Sequence, residues 1–233
     1  MIDYKQLTST YAESAINTLA DWIKINSVLD KSTVDKDKPF GEGVYFALRY
    51  IGRIAERDGF NVDYCNGYAT EISFGEGEKT IGIYAHADVV PATGNWKHSP
   101  FGAEIENNKM FGRGTSDDKG PAVAAYYAFK ALRDNNLLKG FRVTLVIGGN
   151  EENGSACMHY YFQVLKKPAP TYGFTPDAEF PLIYGEKGIT NYATSGEIDL
   201  RPILSIQAGA AANSVIDLAI ATLIKDETLV DAF

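Results

Sequence analysis

Apolar residues recur along this chain with two different spacings. Near-helical spacing of Leu7, Tyr11, Ala15, Leu19 and Ile23 predicts an amphipathic helix from Tyr4 to Ile25. Tyr45, Leu48, Ile51 and Ile54 predict a second from Gly43 to Arg57, with Gly59 at its C-terminal cap. Pro121 opens a third, running to about Asn135, and Ser155 caps a fourth, running to about Lys166. Between them lie short runs rich in β-branched and aromatic residues. Strands are predicted from Asn61 to Cys65, Thr70 to Phe74, Ile81 to Ala85, Phe141 to Gly149 and Thr171 to Thr175. A hairpin around Asn107-Asn108 joins 103–106 to 109–111, since Asn tolerates positive φ. Alternating strands and helices predict a layered α/β domain with a largely parallel central sheet flanked by helices. After Gly188 the alternation stops: Thr190 to Asp199 and Leu204 to Gln207 read as strands without crossover helices, and Leu218 to Ile224 as strand or helix. A domain boundary is therefore expected near Asp199–Pro202, dividing 1–199 from 200–233.

The polar residues that end these strands carry the chemistry. His86 and Asp88 follow one strand, Glu151 and Glu152 a second, Asp177 a third. In open α/β sheets ligands bind at the carboxyl ends of strands, so these clusters are expected to be neighbours. His86 and Asp88 are two apart, and on an extended chain they point to one side. Asp117 and Asp118 add two carboxylates in a Gly-rich loop ahead of a helix. If Asp88, Asp117, Glu151, Glu152 and Asp177 converge, they repel one another strongly, and Lys119 alone cannot offset them. Either several are protonated or cations sit among them. His with carboxylates suits zinc, and also manganese or cobalt. The plainer alternative is solvated loop acids that never meet. Asp118 reads as a helix cap, and His98 and His159 as surface or packing residues.

Composition narrows the classes. A formal net charge of -8 and the lack of a basic patch argue against nucleic-acid and anionic-membrane partners. No apolar segment is long enough to span a membrane. Two isolated cysteines, Cys65 and Cys157, form no disulfide framework, and no signal peptide opens the chain, so a cytoplasmic setting is expected. The Gly112–Gly120 loop lacks the Gly-Lys-Ser/Thr ending of a phosphate loop, and no Gly-x-Ser-x-Gly elbow occurs.

Four ordered phrases, HADVVP, GRGTSDDKGP, NEENGS and TPDAEFP, resemble the metal-site motifs of the di-zinc peptidase family. That family includes aminoacylases, succinyl-diaminopimelate desuccinylases, carboxypeptidase G and bacterial PepV-type dipeptidases. GRGTSDDKGP, DAEFPLIYGEKG and the GxAANSV phrase are most similar to the PepV-type dipeptidases. The resemblance implies a zinc-peptidase-like catalytic domain, followed by the start of an α+β lid domain. It implies two divalent metals: His86 and Asp177 on the first, Glu152 on the second, and Asp117 bridging both, with a cis peptide after it. Asp88 would orient His86, and Glu151 would be the general base. Asn213 would contact substrate, a dipeptide or other small amide.

The family's second metal takes a further His from a later stretch. This chain has only His86, His98 and His159, so that site is one ligand short. The resemblance thus implies the first part of such an enzyme. Two other readings stay open: an N-acyl-amino-acid amidohydrolase of the same family, and a non-catalytic metal-binding remnant. Oligomeric state stays open too.

Overall fold

The computed structural model describes residues 2–179, 181–188, 190, 192–197, 203–209, 216 and 218–224. It divides into two units, one of 1–92 with 96–181, the other of 93–95 with 182–233. The boundary expected near Asp199–Pro202 lies outside the described residues, as does Asn213.

The first unit opens with α1 (Tyr4–Ser9) and α2 (Ala12–Ile23). One continuous helix was expected here. The break has a local cause. The hydroxyls of Thr8, Ser9 and Thr10 donate back to the carbonyls of Tyr4, Gln6 and Leu7, competing with the helical ladder. α1 also buries no residue that would hold it in line with α2.

α3 (Glu42–Arg57) follows a loop. Its first amide, on Glu42, donates to the Thr33 hydroxyl, which serves the helix N-terminus from outside it. Val44, Ala47, Leu48, Ile51, Ile54 and Ala55 form its buried stripe. Asp58 and then Gly59, at φ 87°, end it.

A five-stranded sheet forms the middle layer. Its strands are β1 (Asn61–Asp63), β2 (Ala69–Phe74), β3 (Lys79–His86), β6 (Phe141–Gly148) and β7 (Tyr172–Phe174), in the order β1-β2-β6-β3-β7. β6 pairs with β3, and β3 with β7, in parallel; β2 is antiparallel to both β1 and β6. Four of the five strands therefore run one way, as expected. β4 (Glu104–Glu106) and β5 (Lys109–Phe111) form the predicted hairpin, with Asn107 and Asn108 both at positive φ.

Side chains alternate across the sheet. Val143, Leu145 and Ile147 of β6, with Ile83 and Ala85 of β3, enter the main core beneath α3 and α4 (Lys119–Asp134). Val146 points the other way, towards Tyr161. Tyr161 lies in a segment that starts as α5 (Ala156–His159) and widens into a π turn, Tyr160–Val164. Ser155 was expected to cap this helix with its side chain, and it does not. It sits at φ 55°, away from the extended geometry a capping residue adopts. Asn150 supplies the oxygen instead: its Oδ1 accepts from the Ala156 amide at 3.2 Å.

In the second unit β8 (Ile203–Ala208) pairs antiparallel with β9 (Ala219–Leu223). Among the described residues of 190–199 no strand forms, because nothing there pairs with them and an unpaired strand is not stable in water.

Candidate metal centre

β6, β3 and β7 are adjacent and parallel, so their carboxyl ends open on one edge. His86 is the last residue of β3, Glu151 and Glu152 follow β6, and Asp177 follows β7. Asp117 and Asp118 arrive from the loop ahead of α4, across a cis peptide bond between them.

His86 is 2 % exposed and stands at the centre. Its Nδ1–H donates to the main-chain carbonyl of Asp88 at 2.9 Å. A carbonyl only accepts, so Nδ1 carries a proton and Nε2 is the nitrogen that can present a lone pair to a cation. Nε2 is buried without a well-aligned hydrogen bond. It lies 3.0 Å from Asp117 Oδ1, 3.3 Å from Asp177 Oδ2 and 4.0 Å from Glu151 Oε2. One ligand atom each from His86, Asp117 and Asp177 lies within 4.8 Å of the others, a spread one metal ion can span. An orphaned imidazole nitrogen facing carboxylates from separate loops is a donor set that fits a divalent cation.

The electrostatics point the same way. Burial alone would lower the His86 pKa, but hydrogen bonding to Asp117 and Asp88 overrides it and pushes the value to about 12. Burial raises Glu152 to about 7, and the Asp117 charge adds to this. Burial also raises Glu151 and Asp177, which further feel the surrounding carboxylates. Asp117 is held low by His86. Without a cation, this cluster balances its charge by holding protons. A divalent ion among the same oxygens would balance it instead.

Asp88 is 1 % exposed. Its carboxylate is 3.5 Å from His86 Nδ1 and accepts the amides of Glu151 at 2.9 Å and Glu152 at 3.2 Å. It ties the loop after β6 to the end of β3. Asp118 heads α4 without capping it through its side chain. Its Oδ2 accepts the His86 amide at 3.0 Å, and burial raises its pKa to about 7. The His86 amide, at the end of a buried strand, has no water to turn to and needs an acceptor, which Asp118 supplies. His98 packs on Phe111, ring centroids 4.2 Å apart, and pairs with Glu104 and Glu106, as a packing residue would. Two further residues join the centre that the spacing of acids did not single out. Asn150 shapes the loop carrying Glu151, and Lys119 is discussed below. Only Asn150's position directly after an apolar strand could have marked it.

A layered α/β domain with histidine and acids gathered at three strand ends is the architecture of a metallopeptidase catalytic domain. The chain belongs to peptidase family M20/M25/M40, whose profile matches residues 82–228. Among its relatives is the YtjP protein of Bacillus subtilis strain 168, whose name carries a provisional dipeptidase assignment. It is 40% identical over 231 residues, covering 95% of this chain and 49% of that protein. The similarly named SH1171 of Staphylococcus haemolyticus is 38% identical over 235 residues, covering 98% and 50%. The chain thus spans about half the length of the curated relatives it matches. Among solved structures, the Sulfolobus solfataricus M20 family metallo-carboxypeptidase Sso-CP2 matches with a TM-score of 0.59 and 28% identity, covering 70% of this chain and 37% of that one. Human carnosine dipeptidase 1 shares the fold, with a TM-score of 0.59 at 20% identity over 76% of this chain and 42% of its own.

Proposed function

We propose that this chain carries the catalytic half of a metal-dependent dipeptidase of the PepV type. The observation that carries the reading is the buried Nε2 of His86, faced by carboxylates from three separate loops. In this reading His86 and Asp177 hold one divalent ion, Glu152 a second, and Asp117 lies between them. Histidine with carboxylates favours zinc, with manganese or cobalt as substitutes. A metal held by these residues would supply Lewis acidity, polarising the scissile carbonyl and lowering the pKa of a bound water.

The chain's own residues do the rest. Glu151 takes the proton of the attacking water and returns it to the leaving amine. Its raised pKa suits a group that must both accept and release a proton. Asp88 orients His86 through its carbonyl, and its carboxylate fixes the Glu151 and Glu152 amides. Asn213 contacts the substrate. The relatives named as dipeptidases support a small peptide substrate. The buried, unpaired thiols of Cys65 and Cys157 support a reducing, cytoplasmic setting. Among the described residues no helix is long and apolar enough to cross a membrane.

The test measures metal content together with hydrolysis of dipeptides and N-acyl amino acids, after loading with zinc, manganese or cobalt. Dipeptides are expected to be cleaved in preference to N-acyl amino acids. Glu151→Ala should lower turnover by about 10²–10⁴-fold while leaving metal content unchanged. Loss of metal in parallel with activity would remove Glu151 from the base role. A fully metal-loaded chain inert towards every substrate would favour the binding remnant.

A further inference from the structure

We propose that the turn after α2, residues 22–27, is a brace that sets the spacing between the two arms of the metal centre, with Lys119 as its positioning residue. This rests on the metal-centre reading above. Lys119 directly follows Asp117 and Asp118, and it is 0 % exposed. A buried ammonium is costly unless its hydrogens find acceptors. Among the described residues it makes no ion pair. Its Nζ instead donates to the carbonyls of Trp22 at 3.1 Å and Ile25 at 2.8 Å. These lie at and just beyond the C-terminal end of α2, where the helix dipole favours a cation; the Trp22 carbonyl also accepts the Ile25 amide at 3.1 Å.

The same turn holds the other arm. Ser27 is fully buried, and its hydroxyl donates to the Ala87 carbonyl at 2.6 Å. Its own carbonyl accepts the Val89 amide at 3.2 Å. Six residues thus grip the chain on both sides of Asp88 and, through Lys119, the chain just after Asp117. The brace has a fixed base, because the Trp22 indole donates to the Ala47 carbonyl of α3 at 2.9 Å. The lysine stem has no spare room. A Cβ on Gly114 would lie 3.2 Å from both Lys119 Cδ and Val89 Cγ1. Distance between His86 and Asp117 therefore depends on contacts that neither residue makes itself.

The experiment compares the unchanged chain with Lys119→Met, which keeps the stem and removes the donors, and with Ser27→Ala. Zinc affinity is read by competition with a chromophoric chelator, and the thermal midpoint is read separately in EDTA. Lys119→Met is expected to weaken zinc binding about 10–100-fold, the range seen when partners behind metal ligands are removed. Ser27→Ala should weaken it by less. Ile51→Ala, in the buried stripe of α3, should lower the EDTA midpoint without moving zinc affinity. Folded Lys119→Met with unchanged zinc affinity would overturn the brace, whatever its midpoint. If Lys119→Met does not fold, unchanged affinity in Ser27→Ala would overturn it equally. A folded unchanged chain that binds no zinc would defeat the metal-centre reading and the brace with it. Zinc binding in the unchanged chain that survives both substitutions would defeat the brace alone.

Discussion

His86 takes its tautomer from a carbonyl, and the carboxylate beside it in sequence serves two amides across the site. Such a division leaves Nε2 as the ring nitrogen that faces the site, and leaves the cluster to settle its charge by protons or a cation. The sign of the resulting pH dependence follows. Burial raises Glu152 and Asp118 to about 7 in the folded chain, above their ordinary 4.5 and 3.8. His86 likewise stays protonated well above 6.5. All three hold protons in the folded chain that the unfolded chain has released. Their stabilisation is complete below the unfolded values and is lost as pH rises through the folded ones. Asp63 and Asp134 act oppositely below about pH 4, and Lys119, lowered by burial to about 7, acts oppositely above that value. In EDTA the melting midpoint should therefore fall from about pH 5 to about pH 7. Saturating zinc should flatten or reverse that fall, because metal binds the deprotonated ligands. A midpoint that rises with pH in EDTA would contradict the crowded-carboxylate picture.

β6 does two jobs, as the middle strand of the sheet and as the support of the Glu151–Glu152 loop. Leu145 is fully buried on its core face, between β2 and β3. Leu145→Ala should cost about 2–5 kcal/mol in urea unfolding, with the outcome set by how far the cavity collapses. A loss under about 1 kcal/mol would mean that the core relaxes around the strand. Elements of this kind were readable from the pattern alone. β3, β6, α3 and the Asn107-Asn108 hairpin all stand within a residue or two of their expected bounds. Two departures arose where side chains compete with the backbone, at the Thr8-Ser9-Thr10 run and at Ser155 with its positive φ, and a third, over the described residues of 190–199, where no strand lies opposite. Periodicity reports which face is buried. It does not report which hydroxyl or amide takes the last carbonyl of a helix.

The two units differ in how well they cover their apolar residues. The first encloses a continuous core from Trp22 to Cys157. In the second, Leu204, Ile206 and Ile220, on a two-stranded sheet, and Leu218 just before β9 are each more than half exposed. Two strands alone are marginal, and exposed apolar strands invite pairing with another chain. Light scattering after size exclusion should show association of this chain at micromolar concentration. Ile206→Lys with Ile220→Lys should restore the monomer. A monodisperse monomer for the unchanged chain would show that these strands are covered in solution.

Residue order already determined that a histidine and several carboxylates end three strands, and that those strands share one sheet edge. Both follow from local periodicity and from the rule that strand ends in such sheets converge. Only the folded chain decided the partners. Asp88 turned its carboxylate to the Glu151 and Glu152 amides, Asp118 turned from its helix to the His86 amide, and Lys119 reached back 94 residues to Ile25. Hydrogen bonds form over about 3 Å, so their partners depend on packing that brings distant segments together. Hydrophobic spacing is written within a few neighbouring residues, and it survives without knowledge of what lies opposite.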